Sequence, residues 1–183
     1  MQNPKPSTRN AILDAAETVV SRDGGARLTI DAVVVESGFS KGGVLYHFRN
    51  KAALLEAMME RMISAIAEEV ETTQAKAQAE GRHLAPAMVE ALLTHRKSDP
   101  GVSVALLAAS AEQPELLDPA RNYIRRMVSQ ALSDAPDPVA ALIVFLTIDG
   151  LHFNELLGIG YVSDEQRDAV HSRLIRMIQE MYP

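Results

Sequence analysis

Three side chains able to donate to phosphate or to a base edge fall within one short stretch, Lys41-Gly42-Gly43-Val44-Leu45-Tyr46-His47-Phe48. Lysine, tyrosine and histidine all reach phosphate oxygens, and a lysine at the start of a helix can also reach guanine O6 and N7 in the major groove. The adjacent glycines cost a helix about 2 kcal/mol relative to alanine, so something must compensate for them. A helix start without side chains lets the backbone approach another surface closely and offers free N–H groups to a phosphate. Val44, Leu45 and Phe48 are the expected inward anchors, with Lys41, Tyr46 and His47 projecting outward. On periodicity alone Tyr46 and His47 also fit a half-buried aromatic pair in an ordinary helical hairpin.

Other chemistry is poorly supported. The chain has no cysteine, which removes disulfides, thiolate zinc sites and a cysteine nucleophile together. It has no phosphate loop and no recognisable Ser/His/acid or paired-carboxylate arrangement, so we read no catalytic residue and no enzyme. Polar groups do occur within apolar stretches, among them Thr94, His95, Asp149, His152, Asn154 and Glu155. The i, i+3 pair His152 and Glu155 could face one metal, but a closed site needs more ligands and no second pair of that quality appears. The expectation is no metal and no cofactor.

The elements that position the first stretch follow from caps and breakers. Ser7 can cap a helix carrying Ile12, Leu13, Ala16, Val19 and Val20, which Asp23-Gly24-Gly25 ends. Thr29 caps a short segment, Ile30 to Ser37, terminated by Gly38; Ser40 caps a second one running to about Phe48. Two short helices across Gly38-Phe39-Ser40 form the layout of a helix-turn-helix. Asn50 then caps a long helix toward Gly81. Beyond it, prolines and glycines divide the chain into helical stretches at roughly 84–97, 101–112, 118–134, 138–157 and 164–181. No period-2 alternation persists, so the fold is expected to be all-α.

At 183 residues the chain has room for one domain, or for a module of about 50 residues on a larger body. The formal charge of −6 argues against nucleic acid until its distribution is read. Residues 1–57 carry seven Lys+Arg against six acids, while 58–183 carry eleven against eighteen. A mildly cationic head before an acidic body suits a DNA-binding module joined to a sensor. The longest apolar run, Val139 to Ile148, is about half a bilayer span, which predicts a soluble, cytoplasmic protein without membrane contact.

The string from Thr29 through Gly38-Phe39-Ser40-Lys41-Gly42-Gly43-Val44-Leu45-Tyr46-His47-Phe48-Arg49-Asn50-Lys51 to Leu55 resembles the DNA-binding head of the tetracycline-repressor (TetR/AcrR) family of bacterial transcriptional regulators. The resemblance implies an N-terminal three-helix helix-turn-helix domain over 1–57. It also implies a helical effector-binding and dimerisation domain over 58–183. By that pattern Thr29, Ser40, Tyr46, His47 and Lys51 match phosphate-contacting positions, and Lys41, Gly42 and Gly43 match the start of the recognition helix near base edges. Val34, Leu45 and Ala52 depart from it, where alanine, a second aromatic and an acid are usual. The implied function is a ligand-responsive regulator, a repressor that binds a near-palindromic operator as a homodimer and is released by a small apolar effector. The alternatives are an all-helical small-molecule-binding enzyme or an interaction adaptor without DNA binding.

In the body, residues 139–148 are apolar all round and should be buried in a core or between two chains. The helix near 164–181 carries Val170, Leu174, Ile175, Ile178 and Met181 on one face, and the resemblance pairs the last two helices with their symmetry mates. Eight methionines could line an adaptable cavity or simply fill the core. The expected lining is Met62, Met88, Leu92, Leu106, Met127, Phe145 and Asp149.

Overall fold

The computed structural model describes residues 7–95, 100–133 and 135–182, the side chains at 94, 95, 100 and 101 excepted. Among the described residues there are nine α-helices and no strand: α1 (Thr8–Asp23), α2 (Ile30–Ser37), α3 (Lys41–His47), α4 (Lys51–Ala79), α5 (Leu84–His95), α6 (Pro100–Ser110), α7 (Asp118–Ser133), α8 (Pro138–Leu156) and α9 (Asp164–Glu180). The chain is all-α, as read from its breakers. Two 3-10 turns, Gly25–Arg27 and Pro114–Leu117, were not anticipated. The helix ends expected at 97 and 134, and the side chains of Thr94 and His95, lie outside the described residues.

Prolines start helices here more than they stop them. Pro100 and Pro138 open α6 and α8, while Pro119 and Pro86 sit in the first turns of α7 and α5. First-turn N–H groups have no intrahelical acceptor, so a proline there loses no bond while blocking helix upstream. Side-chain caps complete the starts. Asp137 accepts from the Val139 and Ala140 amides at 3.1 and 3.0 Å, and Ser163 forms a capping box with Gln166.

Two compact units emerge, and they are not consecutive in sequence. One consists of the described residues within Met1–Met62 and Asp99–Pro119; the other of those within Ile63–Ser98 and Ala120–Pro183. This differs from a single cut after residue 57, because α6 packs with α1 and the Gly25–Arg27 turn in the first unit. That contact explains Gly25, since a Cβ built there would lie 2.6 Å from the Cβ of Ala105. The first unit buries Ile12, Leu13, Val33, Val44, Phe48, Leu54 and Leu106. The second is built around Met88, Val89, Val144, Phe145, Ile148, Leu174 and Ile178, with α9 packed on α5 and α8.

Candidate nucleic-acid interface and internal cavity

The turn between α2 and α3 is fixed by three local bonds. Thr29 Oγ1 accepts from the Ala32 amide at 3.0 Å, and Ser40 Oγ accepts from the Gly43 amide at 3.1 Å. Between them Gly38 adopts φ 70°, a left-handed conformation suited to glycine, and its amide donates to the Val34 carbonyl. Both capping hydroxyls use an oxygen lone pair for the cap and keep their hydrogens to donate elsewhere. Val44 and Phe48 are buried and anchor α3. Leu45 is not the inward anchor expected: it is exposed, and the helix turns Val44 rather than Leu45 into the core.

The outward face of α3 holds the groups singled out above. Tyr46 is 86% exposed, which removes the half-buried alternative for that ring; His47 is half-buried and meets the Tyr46 ring edge-on at 5.1 Å. Lys51 is exposed at the first position of α4, whose start Asn50 caps by accepting from the Ala53 amide at 2.9 Å. The two glycines differ. A Cβ at Gly43 would stand 3.2 Å from Ser40 Oγ, so Gly43 keeps room for the cap. Around Gly42 nothing lies within 4 Å of that position.

Ion pairs brace this unit. Arg22 bonds Asp23 and reaches Glu36 at 2.7 Å, tying α1 to α2. The Arg22 hydrogen bond holds the Asp23 carboxyl below its usual range, and the two carboxylates raise the Arg22 guanidinium. Arg61 of α4 pairs with Asp14 and, at 3.6 Å, with Glu17 of α1. Arg9 lies over the Phe48 ring at 5.3 Å from its centroid. Lys41 is paired too: its Nζ is 2.8 Å from Asp31 Oδ1 of α2.

The second unit contains an internal cavity of about 70 Å³ lined by Ile63, Ile66, Leu92, Tyr123, Ile124, Met127, Val128, Phe145, Ile148 and Asp149. Asp149 is the single carboxylate in that lining. Burial, and secondarily the Glu71 carboxylate, push the Tyr123 phenol up and keep it a neutral hydroxyl. Of the seven residues expected to line a pocket, Leu92, Met127, Phe145 and Asp149 come together here. Met88 lines a separate cleft of about 360 Å³ beside Arg82, His83 and Tyr182. Met62 and Leu106 belong to the first unit, where the Met62 sulfur accepts from Ser103 Oγ and Leu106 is core. Tyr123 and Ile63 were missed; the spacing of Tyr123, Met127 and Val128 on the strongly amphipathic α7 was the available signal.

Elsewhere in the second unit, Arg167 donates to Glu155 at 3.0 Å. Among the described residues no cluster of three or more potential metal ligands occurs. The helix α8 is buried on one side only, through Ala141, Val144, Phe145, Ile148 and Leu151. Its other side exposes Val139, Ile143, Leu146 and Phe153, with Ile143 at 50% and Leu146 at 60%. By length and composition α8 is the one described helix able to cross a membrane, a test that the core helix of a globular unit also passes.

Comparison with known proteins places both parts of the chain. Residues 12–58 match the family model described as bacterial regulatory proteins, tetR family, and residues 82–179 match the one described as tetracyclin repressor-like, C-terminal domain. The HTH-type transcriptional regulator UidR of Escherichia coli strain K12 is 28% identical over 145 residues, covering 74% of this chain and 69% of the relative. The HTH-type transcriptional regulator BetI of Serratia proteamaculans is 27% identical over 167 residues, covering 84% and 83%. Among solved structures, the multidrug binding protein EbrR complexed with imidazole matches with a TM-score of 0.65 at 25% identity, covering 93% of this chain and 96% of that one.

Proposed function

We propose a mechanism for this chain, which belongs to the tetR family of bacterial regulatory proteins and is a ligand-responsive DNA-binding transcriptional regulator. A cytoplasmic homodimer represses by setting two copies of α3 into the major groove of a near-palindromic operator, and a small, largely apolar effector in the second unit releases it. The two half-sites lie about one helical turn or slightly more apart. The mechanism is binding alone, with no catalytic residue, metal or cofactor.

Gly42 carries the reading. It destabilises α3, yet among the described residues nothing beyond its neighbours and its own helix backbone lies within 4 Å of where its Cβ would stand, so no packing contact asks for a glycine there. Gly42 and Gly43 bring the start of α3 against the groove. Lys41 reads a base edge there. The Thr29 and Ser40 hydroxyls, already oriented by their caps, donate to phosphate oxygens. Tyr46, His47 and Lys51 hold the backbone at the other end of the helix. A salt-series titration against a duplex selected from random sequence tests this; retention that does not weaken with salt would remove it.

The exposed stripe Val139, Ile143, Leu146 and Phe153 is the dimer seam, α8 meeting its symmetry mate beside α9. Gly150, whose added Cβ would meet nothing within 4 Å, permits a close helix crossing there. Effectors enter at Leu92, Met127, Phe145 and Asp149. At about 70 Å³ the cavity is well below the roughly 300 Å³ of an ordinary ligand site, so binding must open it. The Asp149 carboxylate and the Tyr123 hydroxyl select an apolar molecule bearing a cation or donor.

A further inference from the structure

The cations at the two ends of α3 are not equivalent. At its C-terminal end Arg49 and Lys51 form no ion pair among the described residues. At its N-terminal end the ammonium of Lys41 is 2.8 Å from the Asp31 carboxylate, with both side chains more than half exposed. Asp31 itself is well placed in the first turn of α2, where a negative charge suits the helix dipole. Unpaired cations attract any duplex, because each phosphate they neutralise releases a counterion. A cation already neutralised by a neighbour contributes little to that attraction. An exposed pair of this kind is weak, however, so a better acceptor in the right place can take the lysine.

We propose that Asp31 is a specificity-determining residue: it withholds Lys41 from indiscriminate phosphate binding and yields it to a base-edge acceptor at the cognate position. The inference rests on the placing of α3 in the groove. In this arrangement Arg49 and Lys51 supply attraction to every sequence, and Lys41 adds to it only where guanine O6 and N7 outcompete the carboxylate. Asp31 therefore acts through Lys41 and need not touch DNA.

The test compares the full-length protein, Asp31→Asn, Lys41→Ala and the double variant on two duplexes, one selected from random sequence and one with the same bases shuffled. Asp31→Asn should tighten the shuffled duplex about fivefold and steepen its salt slope by about one, while the selected duplex gains less. Selectivity falls as a result. In the Lys41→Ala background the Asp31→Asn change should leave selectivity unaltered, and with Lys41 present Asp31→Glu should keep the selectivity that Asp31→Asn loses. Equal gains on both duplexes, or an Asp31 effect that persists without Lys41, would overturn the inference while leaving the placing of α3 intact. If Lys41→Ala alters binding to neither duplex, the placing fails first. A merely structural role for Asp31 would shift the melting temperature without moving selectivity, and that result also counts against the proposal.

Discussion

The two compact units present opposite surfaces for function. In the first, the groups that matter are exposed or half-buried polar side chains, and two of them are held by a bond three residues away: Ser40 by the Gly43 amide, Thr29 by the Ala32 amide. In the second, the groups that matter are apolar. They either line a small pocket of about 70 Å³ or are laid out as an exposed stripe on α8. A preformed polar face can dock on a charged polymer with little rearrangement, whereas a nearly filled core must open before it holds anything. We accordingly propose DNA recognition for the first unit and effector response for the second.

The contrast can be broken at several points. The largest effect is expected from Ile143→Glu, which places a charge on the exposed stripe of α8 that we propose as the seam; association should weaken about a hundredfold or more by analytical ultracentrifugation. Leu174 does not serve for the same experiment, since at 4% exposure it is core and its substitution by glutamate would unfold the second unit. Next comes Gly25→Ala. Its new Cβ meets Ala105 at 2.6 Å, and overpacking of that kind should lower stability by about 1–3 kcal/mol in a denaturant titration.

A smaller change should follow Lys51→Ala, which removes an exposed charge that forms no ion pair among the described residues. Affinity for every duplex should fall by about 1 kcal/mol and the salt slope by about one, with the melting temperature unmoved. The smallest concerns Asp23, whose folded pKa lies below its usual 3.8 because Arg22 bonds the carboxylate. Its contribution is fully present above that value and disappears as pH falls through the lower folded one. The stability difference between the protein and Asp23→Asn should accordingly be constant at neutral pH and vanish in acid, as read by thermal melts.

Features fixed by near neighbours were legible in the sequence. Ser7, Thr29, Ser40 and Asn50 cap the helices they precede because a cap needs only a hydroxyl or amide two or three residues upstream of an orphan N–H. What distant chain decides was not legible. Leu45 and Phe48 are both apolar, and only the packing of the rest of the unit leaves one exposed and buries the other. Met62 and Leu106 have the composition of cavity lining, yet Met62 on α4 bonds Ser103 of α6 and Leu106 on α6 is core, both within the first unit. The pairing of Lys41 with Asp31 crosses the helix-turn-helix, and no local pattern announces it.

The placing of α3 in the groove is tested most directly by Gly42→Leu. A Cβ at Gly42 meets nothing beyond its neighbours and its own helix among the described residues, so the substitution starts from an uncrowded position and removes a helix-destabilising residue. Melting temperature and affinity for the selected duplex should be measured on the same preparation. The account predicts a melting temperature equal to or above that of the parent protein, with affinity lost by about a hundredfold or more as the side chain collides with the groove floor. Undiminished affinity in a folded Gly42→Leu protein would contradict it.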